Sequence, residues 1–397
     1  MTGRPPLALS LGDPAGIGPE IVTAAWATLR QGGPVFAVLG DADLLAAGGC
    51  PVARIADLSE AAGIFAHALP VLHSPVGAPV TPGQSDPAHA AAVLHWIETG
   101  VELCRSGAAR GLVTAPIAKA PLYEAGFRFP GHTEFLAELT ADLPVAGRRG
   151  PVMMLTAADL RVALVTIHTP LSAVPGALSI DRIVEVGEVT AQALRRDFGI
   201  EQPRLAMAGL NPHAGESGSI GREEIERINP AAARLRQSGI ACSDARPADS
   251  LFHAEARTRF DAVICQYHDQ ALIPIKTLDF WGGVNVTLGL PIIRTSPDHG
   301  VGYDIAGRGV ARADSLIAAL ALADLEAVVR AGSDLRAVLV DADPVDRCGR
   351  TLQIPVHQST EAATHRGVEQ DVEGIVERPR ASFKILLLQC EVPLAIH

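Results

Sequence analysis

The chain has 397 residues, 48% hydrophobic and 19% charged, with a formal charge of −11 from 33 basic and 44 acidic side chains. That is enough apolar material for sizeable cores in two or three domains. The acidic balance argues against a general nucleic-acid surface, so a phosphate ligand would need a local basic cluster. The six cysteines (Cys50, Cys104, Cys242, Cys265, Cys348 and Cys390) are scattered without a C-x-x-C pair, which favours reduced thiols over a disulfide frame or a thiolate zinc site. No apolar run approaches the roughly 18 residues of a bilayer span, and the N-terminus lacks an apolar segment followed by a cleavage site. The expectation is a cytoplasmic protein with neither membrane nor nucleic acid as partner.

Residues 7–11 read as a short buried strand running into GDPAGIGPEI. Pro19 and Glu20 suit the first turn of a helix, where proline is tolerated and acid meets the positive end of the dipole. Strand, glycine turn and helix resemble a nucleotide-fold entrance. Yet G-D-P-A-G-I-G is neither the dinucleotide G-x-G-x-x-G nor a P-loop, and a tight βα turn explains it equally well. Residues 34–41 predict a second strand and 43–47 a short helix. Residues 69–85, rich in Pro and Gly, read as a surface connection. Asp86 and Pro87 supply an N-cap and a first-turn proline for a helix reaching about residue 104, whose His89 and His95 read as core or surface residues rather than ligands. Residues 111–115 form another strand, with Thr114 at its end and Lys119 just beyond.

PGHTEFLAELTA places His132 and Thr133 just ahead of an amphipathic helix. A hydroxyl and free N–H groups at a helix start suit an anion; Thr133 acting only as N-cap, with Glu134 answering the dipole, fits as well. VMMLTAADLRVALVTIHTPL reads as a hairpin turning around Ala158 and Asp159, with His168 at the exit of its second strand. A long helix over 181–198 and a strand over 204–208 precede GLNPHAGESGSIGREE, which carries His213 before a helix starting near Arg222. Residues 240–262 supply a strand, the polar PADSLFH with Asp249, and a helix.

The densest chemistry lies in residues 265–309, with His268, Asp269, Lys276, Asn285, Arg294, Asp298 and His299 between short apolar runs. Val284, Val286, Leu288 and Leu290 share one side of a period-two pattern. Chemistry hung on the ends of buried strands is the usual arrangement of an α/β site, so this stretch reads as the floor of an active site for an anion and a metal. A helix over 315–330 completes the core; residues 331–397 carry no fold signal and read as an extension of unknown structure.

His168, His213 and His268 each follow a strand. Imidazoles on separate strand ends suit an open site for Zn, Co, Mn or Ni, with Asp249 and Asp269 as carboxylates to orient them. The spacing is not diagnostic, and three separately hydrogen-bonded histidines explain it too. Lys276, Asn285 and Arg294 come nine residues apart. Converging, they would suit a phosphate, Arg294 being the bidentate partner; otherwise they are exposed charges on strand edges. His132 and Thr133 add weight to the phosphate reading.

DHGVGYDIAGRG resembles the H-G-x-x-x-D-I-A-G-x-G loop of the isocitrate and isopropylmalate dehydrogenases, and GDPAGIGPE resembles their G-D-G-I-G-P-E turn. With TAPIAKAPL, PGHTEFLA, LVTIHTPL, GLNPHAGE, PADSLFH, YHDQALIPIK, GVNVTLGLP and IRTSPDHG, in order over roughly residues 7–330, the chain resembles the PdxA-type 4-hydroxythreonine-4-phosphate dehydrogenases. The resemblance implies an α/β fold of two α/β/α lobes with the site in the cleft: residues 1–130 plus 285–330 in the lobe with the dinucleotide loop, and 131–284 in the metal, substrate and dimerisation lobe. It assigns His168, His213 and His268 to one divalent metal (Zn, Mg or Co) in a homodimer, one histidine crossing the interface. It assigns His132, Thr133, Lys276, Asn285 and Arg294 to a phosphorylated substrate. Gly12, Asp13, Asp298, His299, Gly300, Asp304 and Gly307 go to NAD or NADP. Lys119, Asp249 and Asp269 are the acid–base candidates. The implied reaction is oxidation of 4-phosphooxy-L-threonine at C3 with decarboxylation to 3-amino-1-hydroxyacetone 1-phosphate. A 4-phosphothreonate or erythronate dehydrogenase and a metal-dependent phosphohydrolase are the rivals.

Overall fold

The computed structural model describes residues 4–332; apart from Ala331 and Gly332, the expected C-terminal extension lies outside them. The first half alternates strand and helix: β1 (Leu7–Ser10), α1 (Gly18–Leu29), β2 (Phe36–Gly40), α2 (Ala42–Ala47), β3 (Val52–Ile55), α3 (Ala61–Ile64), β4 (Leu69–His73), α4 (Ala90–Arg105) and β5 (Leu112–Thr114). β1, β2 and β5 are buried at every residue, as parallel strands covered on both faces by helices must be. Asp86 caps a 3-10 turn that leads into α4, accepting from the Ala88 N–H at 2.9 Å. His89 is buried and His95 exposed.

The surface connection expected over 69–85 is corrected at its start. Leu69 and Val71 are fully buried in β4, which pairs with β2 on one side and β3 on the other. Pro70 made the run read as a break, since a strand proline removes a ladder donor, but pairing on both sides holds it extended. β3, with one buried residue, is the sheet's edge and has no pattern to betray it.

The second half begins with α5 (Lys119–Glu124) and α6 (His132–Leu139), then the hairpin β6 (Val152–Ala157) and β7 (Leu160–Leu164). Ala158 takes the left-handed turn position with φ 50°. There follow α7 (Val174–Ala177), α8 (Ile180–Arg196), β8 (Arg204–Ala208), a π turn over Glu224–Ile228, α9 (Asn229–Gln237), β9 (Ala241–Arg246), α10 (Ala254–Arg257), β10 (Ala262–Cys265), α11 (His268–Leu278), β11 (Val284–Leu288), β12 (Arg294–Pro297) and α12 (Asp314–Arg330). Thr133 is not the N-cap of α6: Gly131 is, in extended conformation and without a side-chain bond.

All twelve strands join one sheet in the order β3-β4-β2-β1-β5-β12-β11-β6-β7-β10-β8-β9. β12 is parallel to β5, whereas β11 runs antiparallel to both β12 and β6, and β6 antiparallel to β7. The sheet therefore changes direction at its middle. Period-two alternation splits the middle strands between two cores: Val152, Met154, Ala163 and Ile264 enter the large one. Leu155, Val162, Leu164 and Val263 enter a smaller one closed by Ala271 and Ile275 of α11.

α12 is tied to the end of α8 by buried ions. Asp197 accepts from Arg196 Nε and Arg330 Nε, both at 2.6 Å. Beside them Glu326, 1% exposed, has no partner for Oε1 among the described residues. Burial first, and the Asp197 charge second, push its carboxyl well above the usual range. A carboxyl whose folded pKa is raised loses stability as pH climbs from the unfolded value toward the folded one. The Glu326→Gln variant is therefore expected to melt with the wild type near pH 4.5 and roughly 2 °C or more above it at pH 8, which thermal denaturation at the two pH values checks.

Candidate active site

A cavity of 630 Å³ opens at the middle of the sheet. Its wall draws on the residues after β5 and Lys119 of α5, on His132, Thr133 and Glu134 in the first turn of α6, and on Thr166 to Thr169 beyond β7. Arg182, His268, Asn285, Arg294, Ser296, Asp298 and His299 complete it. The cavity lies beyond the C-terminal ends of β5 and β7, the end of parallel strands at which α/β sheets bind ligands.

Arg294, on β12, is 2% exposed. Its Nη1 donates to Thr287 Oγ1 at 2.9 Å and its Nη2 to Thr114 Oγ1 at 2.7 Å, on the strands to either side. Nε has no partner, and no acid pairs with the guanidinium among the described residues. Burial lowers its pKa to about 10, so the cation persists at neutral pH. A buried charge without a counter-ion costs several kcal/mol, and an anion in the cavity removes that cost. His132 Nε2 and Asn285 Oδ1 are likewise enclosed and unpartnered. Burial, then the charges of Arg294 and Lys119, push the His132 imidazole well below its ordinary value, leaving it a neutral hydrogen-bonding group. Enclosed polar atoms without partners mark a wall that expects a polar ligand.

His168 and His268 meet at the cavity with ring centroids 5.8 Å apart. Burial, Lys119 and His268 lower the His168 pKa against the opposing pull of Glu134, favouring the neutral imidazole that ligates metal. His268 Nδ1 lies 2.7 Å from Asp269 Oδ1, which leaves Nε2 to face a ligand in the manner of a carboxylate-oriented metal histidine. His213 is not in the cavity of the same chain. It is exposed, on a run in which His213, Ala214, Gly215, Glu216 and Ser217 all have φ between 43 and 80°. Left-handed backbone costs roughly 1–2 kcal/mol per non-glycine residue. Buried Glu224 holds the run in place, accepting from the Asn211 N–H at 2.8 Å and from Asn211 Nδ2 at 2.9 Å.

Among the described residues, the one set of three acid or imidazole groups already within mutual ligating reach is Asp41, Asp43 and His73. Its atoms are spoken for. Asp41 caps α2 and accepts from Val76 N–H, Asp43 pairs with Arg54, and His73 Nδ1 accepts from the Ala42 N–H at 3.1 Å. The two cavity histidines suit a metal better.

Other expected residues are placed differently. Lys276 lies in the last turn of α11, outside the cavity lining, with Nζ 2.6 Å from Asp298 Oδ2 and 5.1 Å from the Phe280 ring centroid. Asp249 is exposed and does not line the cavity. Of the dinucleotide candidates only Asp298 and His299 reach the wall. Gly12, Asp13, Gly300, Asp304 and Gly307 belong to two loops packed on each other: Ile17 N–H donates to Val301 O at 2.9 Å, and Tyr303 OH to Asp13 Oδ2 at 2.5 Å. Gly12, with φ 76°, leaves no room for a side chain, since a Cβ would sit 2.5 Å from Pro116 O. Arg182, Ser296 and Thr287 escaped sequence reasoning because nothing but proximity in the fold recruits them. The buried thiols of Cys104 and Cys242, pushed up to about 12 by burial, offer no nucleophile.

A family model described as "Pyridoxal phosphate biosynthetic protein PdxA" matches residues 34–323. A 4-hydroxythreonine-4-phosphate dehydrogenase of Caulobacter vibrioides is 65% identical over 325 residues, 81% of this chain and 97% of that protein. The solved 4-hydroxythreonine-4-phosphate dehydrogenase of Klebsiella pneumoniae superposes with a TM-score of 0.71 at 35% identity, covering 81% of this chain and 99% of that one. The enzyme of the same name from Burkholderia phymatum gives 0.68 at 36% identity, with 82% and 99% covered.

Because Arg294 has no acidic partner to strand, Arg294→Met is expected to fold with an unchanged or raised melting temperature. Inorganic phosphate should stabilise the wild type, by about 2.7 kcal/mol at a hundredfold excess over Kd, and leave the variant unmoved. Thermal shift against phosphate concentration measures both.

Proposed function

The chain belongs to the PdxA family of pyridoxal phosphate biosynthetic proteins, and on that footing we propose that it is a 4-hydroxythreonine-4-phosphate dehydrogenase. It oxidises 4-phosphooxy-L-threonine at C3, and the resulting β-keto acid loses CO2 to give 3-amino-1-hydroxyacetone 1-phosphate. The observation that carries the reading is Arg294, a buried cation without an acid partner in a cavity shaped for a small molecule. The names of the relatives supply the reaction class.

In this reading Arg294 grips the phosphate, aided by Thr133, by Asn285 and by neutral His132. Holding the phosphate far from the reacting carbon fixes that carbon's place and supplies binding energy for the step. Lys276 joins the clamp by leaving Asp298. His168 and His268, with His213 from a second copy of the chain, hold one divalent cation (Zn, Mg or Co). When bound there, the metal would supply Lewis acidity at the C3 oxygen, and NAD or NADP at the loops around Gly12 and residues 298–307 would supply the hydride acceptor. Of the three acid–base candidates, Lys119 is the one that lines the cavity wall. Asp269 is occupied with His268, and Asp249 stands away.

The homodimer draws support from the exposed His213 run, from Ile220 and Ile225 that flank it in sequence at 48% and 43% exposure, and from Ile273 at 64% on the helix that carries His268. Backbone strain of this kind persists where function uses it. The lobes would divide at the middle of the sheet, residues 1–130 and 285–330 against 131–284. No helix among the described residues is long and apolar enough to cross a membrane, in keeping with a cytoplasmic metabolic enzyme.

The purified protein with a divalent cation and NAD+ or NADP+ is expected to form reduced nicotinamide from 4-phosphooxy-L-threonine; release of inorganic phosphate without reduction would instead establish a phosphohydrolase. Asp269→Asn should weaken divalent-metal binding by about 10- to 100-fold, read by direct titration of the metal-free protein. Two inactive variants, His213→Ala and His168→Ala, should recover part of the activity when mixed, because a mixed dimer rebuilds one complete site.

A further inference from the structure

Of the three tryptophans in the chain, two are buried, Trp26 at 3% exposure and Trp96 at 1%. Trp281 stands open at 49%, next to Phe280 at 58%, in the turn of residues 279–283 between α11 and β11. The turn is firmly built. Asp279 Oδ1 accepts from the Trp281 N–H at 3.1 Å and from the Gly282 N–H at 2.8 Å. The Phe280 and Trp281 rings meet edge to face, with centroids 4.9 Å apart and planes at 80°. Arg312 lies over the indole, 4.5 Å from its centroid, and its guanidinium is held by Asp314 at 2.9 and 3.0 Å. Two large aromatic rings fixed side by side in water form a surface suited to a ligand.

Strand order puts this turn beside the loops read above as the dinucleotide site. β1, β5 and β12 are parallel, and β11 is antiparallel to β12 with Val284 opposite Pro297. The turn that feeds β11 therefore emerges at the edge where β1, β5 and β12 end. The four strands are consecutive, β1-β5-β12-β11, so about 14 Å separates the turn from the loop after β1. One extended dinucleotide bridges that gap. The turn is also bonded to both ends of the segment between β12 and α12. Ser315 Oγ donates to Gly283 O at 2.5 Å and accepts from the Asp298 N–H at 3.2 Å. In that segment His299 Nε2 is enclosed without a partner among the described residues, a polar atom that fits a polar ligand along this edge. Resting on the cofactor reading, we propose that Trp281, steadied by Arg312, stacks on the adenine ring of the dinucleotide. Every base offers a π-face to an aromatic side chain, and the cation–π contact with Arg312 holds the indole in one orientation. Adenine at Trp281 lets the other end of the cofactor run past Asp298 and His299, which line the cavity wall.

Binding to the full chain tests this without turnover. ADP-ribose carries the adenine but no nicotinamide, and nicotinamide mononucleotide carries the reverse. ADP-ribose is expected to quench the tryptophan emission of the wild type, because Trp26 and Trp96 are buried and Trp281 is not. Nicotinamide mononucleotide should leave the emission unchanged. By calorimetric titration Trp281→Ala should raise the Kd of ADP-ribose about 5- to 150-fold, and Trp281→Phe should keep most of the affinity. The phosphate-dependent thermal shift should persist in both variants, which shows that they are folded. An unchanged Kd in Trp281→Ala overturns the proposal, as does equal weakening of nicotinamide mononucleotide. A variant whose oligomeric state changes while its Kd for ADP-ribose holds assigns the turn to a contact between copies and also overturns it. If Trp281→Ala does not fold, a wild type whose emission ADP-ribose leaves unquenched is sufficient to do so. Failure of ADP-ribose, NAD+ and NADP+ alike to bind the wild type overturns the cofactor reading and this inference with it, whereas equal binding to wild type and Trp281→Ala overturns the inference alone.

Discussion

A full positive charge lies buried at the centre of this sheet, and the rest of the site is arranged around it. Arg294 stands on β12, between the parallel strands and the antiparallel β11, and reaches sideways to a threonine hydroxyl on each neighbour. Two neutral hydroxyls satisfy hydrogen bonds but not a charge. The molecule therefore carries a standing electrostatic demand at the bottom of its cavity, and an anion is the group that meets it. This also explains the neutral His132: a second cation beside a buried guanidinium would add repulsion to desolvation.

The cavity has to recognise more than an anion. His168 and His268 meet at the cavity, while His213 is held outward on a left-handed run that Glu224 and Asn211 pin in place. Lys276 is drawn back onto Asp298, the first residue of the loop that packs against the turn at Gly12. Through that ion pair α11 and the loop after β12 are joined.

Much of the fold was legible before any coordinates. The hairpin at Ala158, the strands around Leu9, Met207 and Ile264, and the helices opened by Pro19 and by Asp86 with Pro87 all follow from hydrophobic period and capping chemistry. The failures have physical causes. β4 hid behind Pro70, and β3 has too little burial to leave a pattern. Of the two readings open for Thr133, the N-cap fails because Gly131 takes that place. Lys276 read only as a group near the end of an apolar run, because that run, with an internal proline at Pro274, conceals its helix.

What the sequence by itself determined is the set of chemical groups and their local frames: motif blocks in family order, histidines after strands, basic and amide groups between apolar runs. Local frames follow from neighbours along the chain, and short-range sterics and period suffice to read them. Which groups meet is a different matter. That Arg294 would be left without an acid, and that Asp13 would be spent on Tyr303, were decided by strand order in the sheet. Strand order brings together residues up to 290 positions apart, as in the Tyr303–Asp13 bond, and charge compensation depends on that proximity rather than on spacing along the chain.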